Sequence, residues 1–386
     1  MINEMKTFLE KQLEETRRQN LHRTLREITS AQGPVITVSG RRLHNFSSND
    51  YLGLAADPAL KRAAAAAVRK FGTGAGASRL ISGNLHPCTE LEEELARFKK
   101  TEAALVFGSG YVAALGTITS LIGPGDFVIL DKLCHACIID ACRQSGATIR
   151  VYPHLNLKRL EELLVWASRE KKLNSNILLV TETVFSMDGD VAPIDKIVEL
   201  KNKYSAWLMI DEAHATGVFG KNGRGLAEHF GVENEIEVTM GTLGKALGSA
   251  GGYISGSRAL IDFLVNHARS FIFSTGLPPA AYAAAHAALK MIRRSPSLRK
   301  KLWDNIAFFC KQAAREPVSP IIPIKIGDEA RAVETSRKLW DAGFFVPAIR
   351  FPTVARGKAR LRVSISAAHS KKQLEALVEA LRVAGI

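Results

Sequence analysis

Six short apolar runs rich in β-forming residues stand in a row through the middle of the chain: "ALVF", "FVILD", "TIRVY", "NILLVTET", "AWLMIDEA" and "IEVTM". Stretches of helical length and polarity separate them. A strand that is hydrophobic on both faces must be covered on both. Strands joined through helices run mostly parallel, because a parallel neighbour is reached only by a crossover. The alternation therefore predicts an α/β domain with a mostly parallel central sheet and helices on both faces. At 386 residues the chain is long enough to add a smaller domain.

The two ends follow other patterns. The start, "MINEMKTFLEKQLEETRRQNL", is a charge-alternating amphipathic helix, and a hairpin follows around "VITVSGRRLHNF". After "FSTGLPPAAYAAAHAALKMIRR" the pattern turns to α+β, through "PIIPIKIGD", "AVETSRKLWDAG", "RLRVSIS" and a last helix "SKKQLEALVEALRVAG". These runs predict an N-terminal helix and hairpin over 1–45, a large α/β domain over 46–290 and a small α+β domain over 291–386. Thr89 and Glu92 have the spacing of a capping box, which predicts a helix start there.

Charge narrows the partners. With 52 basic against 38 acidic residues the net charge is +14, a field that draws anions. No long basic run, zinc finger or aromatic-rich RNA signature accompanies it, so nucleic acid is disfavoured against an anionic small molecule or an acidic carrier protein. Five cysteines and no apolar leader predict free thiols in a cytoplasmic protein. Cys134 and Cys137 form a C-x-x-C with no second motif to complete a redox or zinc site. From Ala103 to Gly125 no residue is charged, but a Gly-Ser-Gly turn and a Gly-Pro-Gly stop divide the stretch into strand and helix, so it predicts core and not a membrane span.

The chemistry centres on Lys245 in "VTMGTLGKALGSAGGYISGS", where Gly244, Gly248, Gly251 and Gly252 surround a single amine. A phosphate-binding P-loop needs a hydroxyl residue after the lysine and a glycine five before Gly244. Ala246 and Thr239 stand there instead. "FGTGAGASRLISG" fails as a dinucleotide loop, since Ala77 occupies the third glycine position and no strand precedes it. The leading reading is a lysine that forms a Schiff base with an aldehyde cofactor, of which pyridoxal phosphate is the commonest. The glycines would then leave room for the cofactor. Such a cofactor asks for an acid at its ring nitrogen, an anion cup for its phosphate and a flat partner for its ring. Asp211 closes the strand "AWLMID", Gly108, Ser109 and Gly110 join a strand to a helix, and His135 follows "DFVILD".

Each of these has a blander reading. A lone Asp211 pairs with an arginine as often as not, and a lone His135 is usually a satisfied structural histidine. Arg360 and Arg362 lie on one side of a strand, where one of them reads as a solvated charge. Asn49, Ser186 and Thr275 are types that often bond only local backbone. His86, His154 and His369 read as structural or peripheral, and Glu182 carries no assigned role.

Taken together, "NFSSNDYLGLA", "GTGAGASRLISGN", "TETVFSMDGD", "DEAHATGVFGKNGRG", "TLGKALGSAGGY", "FSTGLPPA" and "AIRFPTVARGKARLRVSISAAHS" resemble the α-oxoamine synthases, pyridoxal-phosphate enzymes of the fold-type I aminotransferase superfamily. The resemblance runs in order from about residue 20 to the end. The resemblance implies Lys245 as the Schiff-base lysine, Asp211 as partner of the pyridine nitrogen and His135 as the histidine stacked on the ring. It implies that His214 and Ser186 bond near the phenolic oxygen and that Gly110 and Tyr111, next to Ser109, form the phosphate cup with Thr242. Thr275 would come from the other subunit of a homodimer with a shared active site, and Asn49 and Arg362 would hold an amino-acid carboxylate.

"AIRFPTV" and "SSNDYLGLA" point to the member that joins L-alanine to a pimeloyl thioester, carried by coenzyme A or acyl carrier protein, with loss of carbon dioxide in biotin biosynthesis. Glycine with acetyl-CoA or succinyl-CoA, and serine with a long acyl thioester, remain alternatives. A non-catalytic binding protein with a basic surface is the rival from another class. The chain departs from the family in carrying Ala114 and Cys134 where asparagine is expected, and in a shortened stretch between Ala314 and Pro320.

Overall fold

The structure is a computed structural model and describes residues 2–386. Its contacts divide the chain into two compact units. The larger holds Asn49–Ser186 and Asp190–Trp303, and the smaller holds the chain up to Ser48, Met187–Gly189 and Asp304–Ile386.

In the larger unit a seven-stranded sheet runs in the order Ala103–Phe107, Gly252–Gly256, Val238–Thr242, Trp207–Asp211, Ile177–Glu182, Phe127–Asp131 and Thr148–Tyr152. The last five pair in parallel, and Gly252–Gly256 is antiparallel to both its neighbours. All six runs read from the sequence are strands. The seventh, "GYISG", has only Tyr253 and Ile254 between small residues, too few β-formers to carry a signal of its own.

The core shows why the strands are apolar throughout. Val128 and Leu130 pack into one cluster with Leu105, Ile138, Met209 and Ile254. Phe127 and Ile129, on the alternate positions, pack into another with Leu160, Leu164, Leu208 and Ile210. Ala114 and Cys134 belong to the first cluster. Ala114 is wholly buried there, where the amide of an asparagine would need partners of its own.

Two local expectations are corrected. The helix of the supposed capping box starts at His86, with Leu85 at its N-cap, so Thr89 lies inside it. Glu92 is drawn away from any cap by tertiary partners: it forms an ion pair with Arg79 and receives the Val106 amide at 2.7 Å. The apolar stretch from Ala103 is the strand Ala103–Phe107 followed by the helix Gly110–Leu121, and no helix among the described residues is long and apolar enough to cross a membrane.

The smaller unit contains two three-stranded sheets. One joins the hairpin Val35–Val38 and Arg41–Asn45 to Phe344–Phe345, so the N-terminal segment is not a separate piece over 1–45 but shares a sheet with the C-terminal part. The other consists of Ile321–Gly327, Ala359–Ser364 and Ala348–Ile349. The units divide between Trp303 and Asp304 and not near residue 290. That point lies within the helix Pro296–Gln312, whose unbroken pattern gives the sequence no mark of a boundary.

Candidate active site

Parallel strands bring their carboxyl ends to one edge of the sheet, and in the larger unit that edge is acidic. Glu182 ends one strand and Asp211 the next, paired in register. Both are buried, with 2% and 5% exposure. Asp211 accepts the Ala213 amide at 2.8 Å. Burial pushes its carboxyl above the ordinary range, while Lys245, the Ala213 amide and His135 pull it back. Glu182 is held well above its ordinary value by burial and by the neighbouring Asp211 charge, against the pull of Lys245 and the amides of His135 and Ser186. One oxygen of Glu182, Oε1, is buried with no hydrogen-bond partner.

Lys245 lies in the turn that follows the strand Val238–Thr242. Its Nζ is 2.8 Å from His214 Nε2. His214 Nδ1 is 2.6 Å from the Tyr51 hydroxyl, which donates to Asn49 Oδ1 at 3.2 Å. With the ammonium donating to Nε2, the imidazole proton sits on Nδ1 and points at Tyr51, so the four groups form one directed chain. Tyr51 was not singled out from the sequence, although it stands two residues after Asn49 in "SSNDYLGLA"; nothing in that string tells a buried core tyrosine from a working one.

The glycines around Lys245 serve a different purpose from the one expected. A Cβ on Gly248 would lie 2.6 Å from the Ala55 amide, and one on Gly252 would lie 2.5 Å from the Gly110 nitrogen. These positions make room for other parts of the backbone. Gly244 itself would meet only ordinary contacts. The result is that the helix start at Ser109 and Gly110 is packed closely against the strand that follows Lys245.

That helix start is formed for anions. Ser109 caps Gly110–Leu121 by accepting the Val112 amide, and the amides of Gly110 and Tyr111 belong to a first turn that has no intrahelical acceptors for them. Thr242 stands beside Gly110, its hydroxyl donating to Gly251 O at 3.0 Å and accepting the Gly244 amide. Tyr111 is exposed, and its hydroxyl donates to Asp140.

His135 caps the next helix, Ala136–Ser145. Its Nδ1 accepts the Cys137 amide at 3.3 Å and lies 3.0 Å from the Cys137 thiol. An Nδ1 that accepts leaves the ring proton on Nε2. The residue is more than a third exposed by surface area, yet the atoms around the ring desolvate it enough to lower its pKa, so it is neutral at pH 7. The five cysteines are buried free thiols, and Cys134 Sγ lies 3.7 Å from Val180 O.

Lys245, Asp211, His135, His214, Asn49, Ser186, Ser109, Gly110, Tyr111 and Thr242 thus all lie in the larger unit, where Lys245, His214 and Asn49 are linked through Tyr51. Thr275, in the same unit, is exposed and bridges through its backbone to Ser78. Arg362 belongs to the smaller unit, buried on the strand Ala359–Ser364, where Nη1 donates to Ser364 Oγ at 2.8 Å. Arg360 is also buried and is paired with Asp188, so neither arginine is the solvated strand charge.

The residues fit pyridoxal phosphate. A buried carboxyl whose ionisation is opposed by desolvation gains from a cationic N–H. A helix start with unclaimed amides suits a phosphate, and an amine held by a histidine suits an aldehyde. Among the described residues no group of three or more His, Cys, Asp or Glu is placed to hold a metal ion.

Comparisons agree with this donor set. Residues 41–381 match the family aminotransferase class I and II. The chain is 48% identical over 376 residues to an 8-amino-7-oxononanoate synthase of Anaeromyxobacter dehalogenans, covering 96% of this chain and 93% of the relative. It is 43% identical over 384 residues to the enzyme of that name from Thermoanaerobacter pseudethanolicus, covering 98% and 96%. Among solved structures it resembles a serine palmitoyltransferase from S. paucimobilis with bound PLP–myriocin aldimine, at 30% identity and a TM-score of 0.91 over 98% of this chain and 96% of that one. An 8-amino-7-oxononanoate synthase of Francisella tularensis matches at 30% identity and a TM-score of 0.75 over 88% and 98%. The chain belongs to the class I and II aminotransferase family, as an α-oxoamine synthase of the pyridoxal-phosphate fold-type I superfamily.

Proposed function

We propose that this chain condenses L-alanine with a pimeloyl thioester, carried by coenzyme A or an acyl carrier protein, to give 8-amino-7-oxononanoate, carbon dioxide and free thiol, the reaction of biotin biosynthesis. The observation that carries the reading is near-full-length similarity, at 43–48% identity, to enzymes bearing that product's name. The acid, amine and helix start at one sheet edge support it.

When bound, pyridoxal phosphate supplies an aldehyde for an amine and an electron sink for a carbanion. Lys245 provides the amine that holds it, and Nζ takes the proton from the substrate Cα as general base. The bond from Nζ to His214, continued through Tyr51 to Asn49, fixes that nitrogen in place. Asp211 would hold the cofactor's ring nitrogen, and the neutral His135 would serve as the partner of the ring. Gly110, Tyr111 and Thr242 bind the phosphate beside Ser109. His214 and Ser186 bond near the phenolic oxygen. Asn49 holds the amino-acid carboxylate, and Arg362 keeps the same role on the strength of its motif. The protein acts in the cytoplasm as a homodimer, with Thr275 donated to the phosphate across the subunit boundary.

A second reading, serine with a long acyl thioester, is favoured by the higher TM-score to serine palmitoyltransferase, but the sequence identity there is only 30%. Thiol release with alanine, glycine and serine against pimeloyl-, acetyl- and palmitoyl-CoA separates the readings. Alanine with pimeloyl-CoA is expected to dominate by at least about a hundredfold, the discrimination a shaped acyl and side-chain pocket reaches. Preference for serine with palmitoyl-CoA would overturn the reading.

A further inference from the structure

Glu182 is the buried acid without a task. It stands register-paired with Asp211 at the sheet edge, 2% exposed, and its Oε1 has no partner. The groups that face it are Asp211 on the next strand, Lys245, the amides of His135 and Ser186, and the thiols of Cys134 and Cys137. Burial keeps both thiols neutral, and His135 is neutral as well. Two carboxyls thus share one ammonium, on strands about 4.8 Å apart. Like charges at that spacing do not both ionise in a dry site.

Asp211 has the better claim on the charge, since it accepts the Ala213 amide at 2.8 Å, while Glu182 is the more deeply buried and keeps an oxygen without a partner. An oxygen left unpaired is costly on a carboxylate and far cheaper on a carboxylic acid. We propose that Glu182 is a neutral carboxylic acid at neutral pH and acts as a positioning residue, leaving the pair's single negative charge on Asp211. An ionised Glu182 would compete with Asp211 for Lys245 and for any cationic ring. The protonation state follows from this chain's residues alone; its use in catalysis rests on the function proposed above.

Infrared spectroscopy of the full cofactor-free chain at neutral pH tests the protonation state directly. The C=O stretch of a protonated carboxylic acid is expected in wild type. It should shift when glutamate, but not aspartate, carries a carboxyl-13C label, and should vanish in Glu182→Gln. Absence of that band, or its persistence in Glu182→Gln, would overturn the proposal; the labelled wild type decides even where the variant folds poorly. In the loaded enzyme Glu182→Ala should lower kcat by about tenfold, the scale of one lost hydrogen-bonded contact. Glu182→Gln, which keeps an uncharged acceptor, should restore most of that loss. A glutamine no better than alanine would contradict a neutral acid. A wild type that shows the band but binds no cofactor would sink the proposed function and leave the protonation state standing.

Discussion

Asp211 and Glu212 are neighbours in the chain, both buried and both acidic, yet a strand sends successive side chains to opposite faces and the two meet different fates. Glu212 enters a closed network. Lys99 donates to it at 2.7 Å and the Ala227 amide at 2.9 Å, while Lys99 is also held by Thr216 and the Arg224 carbonyl. A Cβ on Gly225 would collide with the Glu212 carboxylate, so even the adjoining loop is fitted around it. Asp211 instead shares one ammonium with Glu182, which has an oxygen left over. A buried charge that is fully answered is scaffold. One that is only partly answered marks where a ligand supplies what is missing.

Lys245→Ala is the variant with the largest effect expected on the open side. Thiol release should fall by about four orders of magnitude, with the urea midpoint near that of wild type. On the closed side Lys99→Met leaves Glu212 charged and buried without a cation, and should cost about 3–5 kcal/mol in urea unfolding. The comparison breaks if the Lys245 variant unfolds early or if Lys99→Met keeps full stability.

Tyr51→Phe sharpens the open side further. Removing the hydroxyl unlinks His214 from Asn49 and should lower kcat by about tenfold, the worth of one hydrogen bond, with alanine KM little changed.

Two histidines outside the site give effects of opposite sign. Burial lowers the His154 pKa, but the carboxylates of Asp131 and Asp190, at 2.9 and 2.8 Å, outweigh it and push it up to about 9. Its contribution to stability is complete below about 6.5 and is lost as pH rises through about 9. His369, in the smaller unit, is lowered by burial to about 4, so its protonation favours the unfolded chain and stability is lost as pH falls from about 6.5 toward 4. Melting temperatures across pH should show both flanks, with the alkaline one reduced in His154→Gln.

The sequence carried much of this architecture because strands buried on both faces are spelled as apolar runs. It concealed the strand Gly252–Gly256, where Gly252 makes room for Gly110, and the division inside Pro296–Gln312, where the helix continues unbroken. In the site, Lys245 and Asp211 were legible from their strand ends and small neighbours. Tyr51 and the pairing of Glu182 with Asp211 were not, because register and a hydroxyl's partner exist only once the chain is folded.

Borohydride reduction of the cofactor-loaded protein, followed by peptide mass mapping, tests the central claim most directly. The account predicts a single pyridoxyl group on the peptide containing Lys245, and none when Lys245 is replaced by alanine. A pyridoxyl group on another lysine, or an unmodified protein after saturation with pyridoxal phosphate, would contradict it.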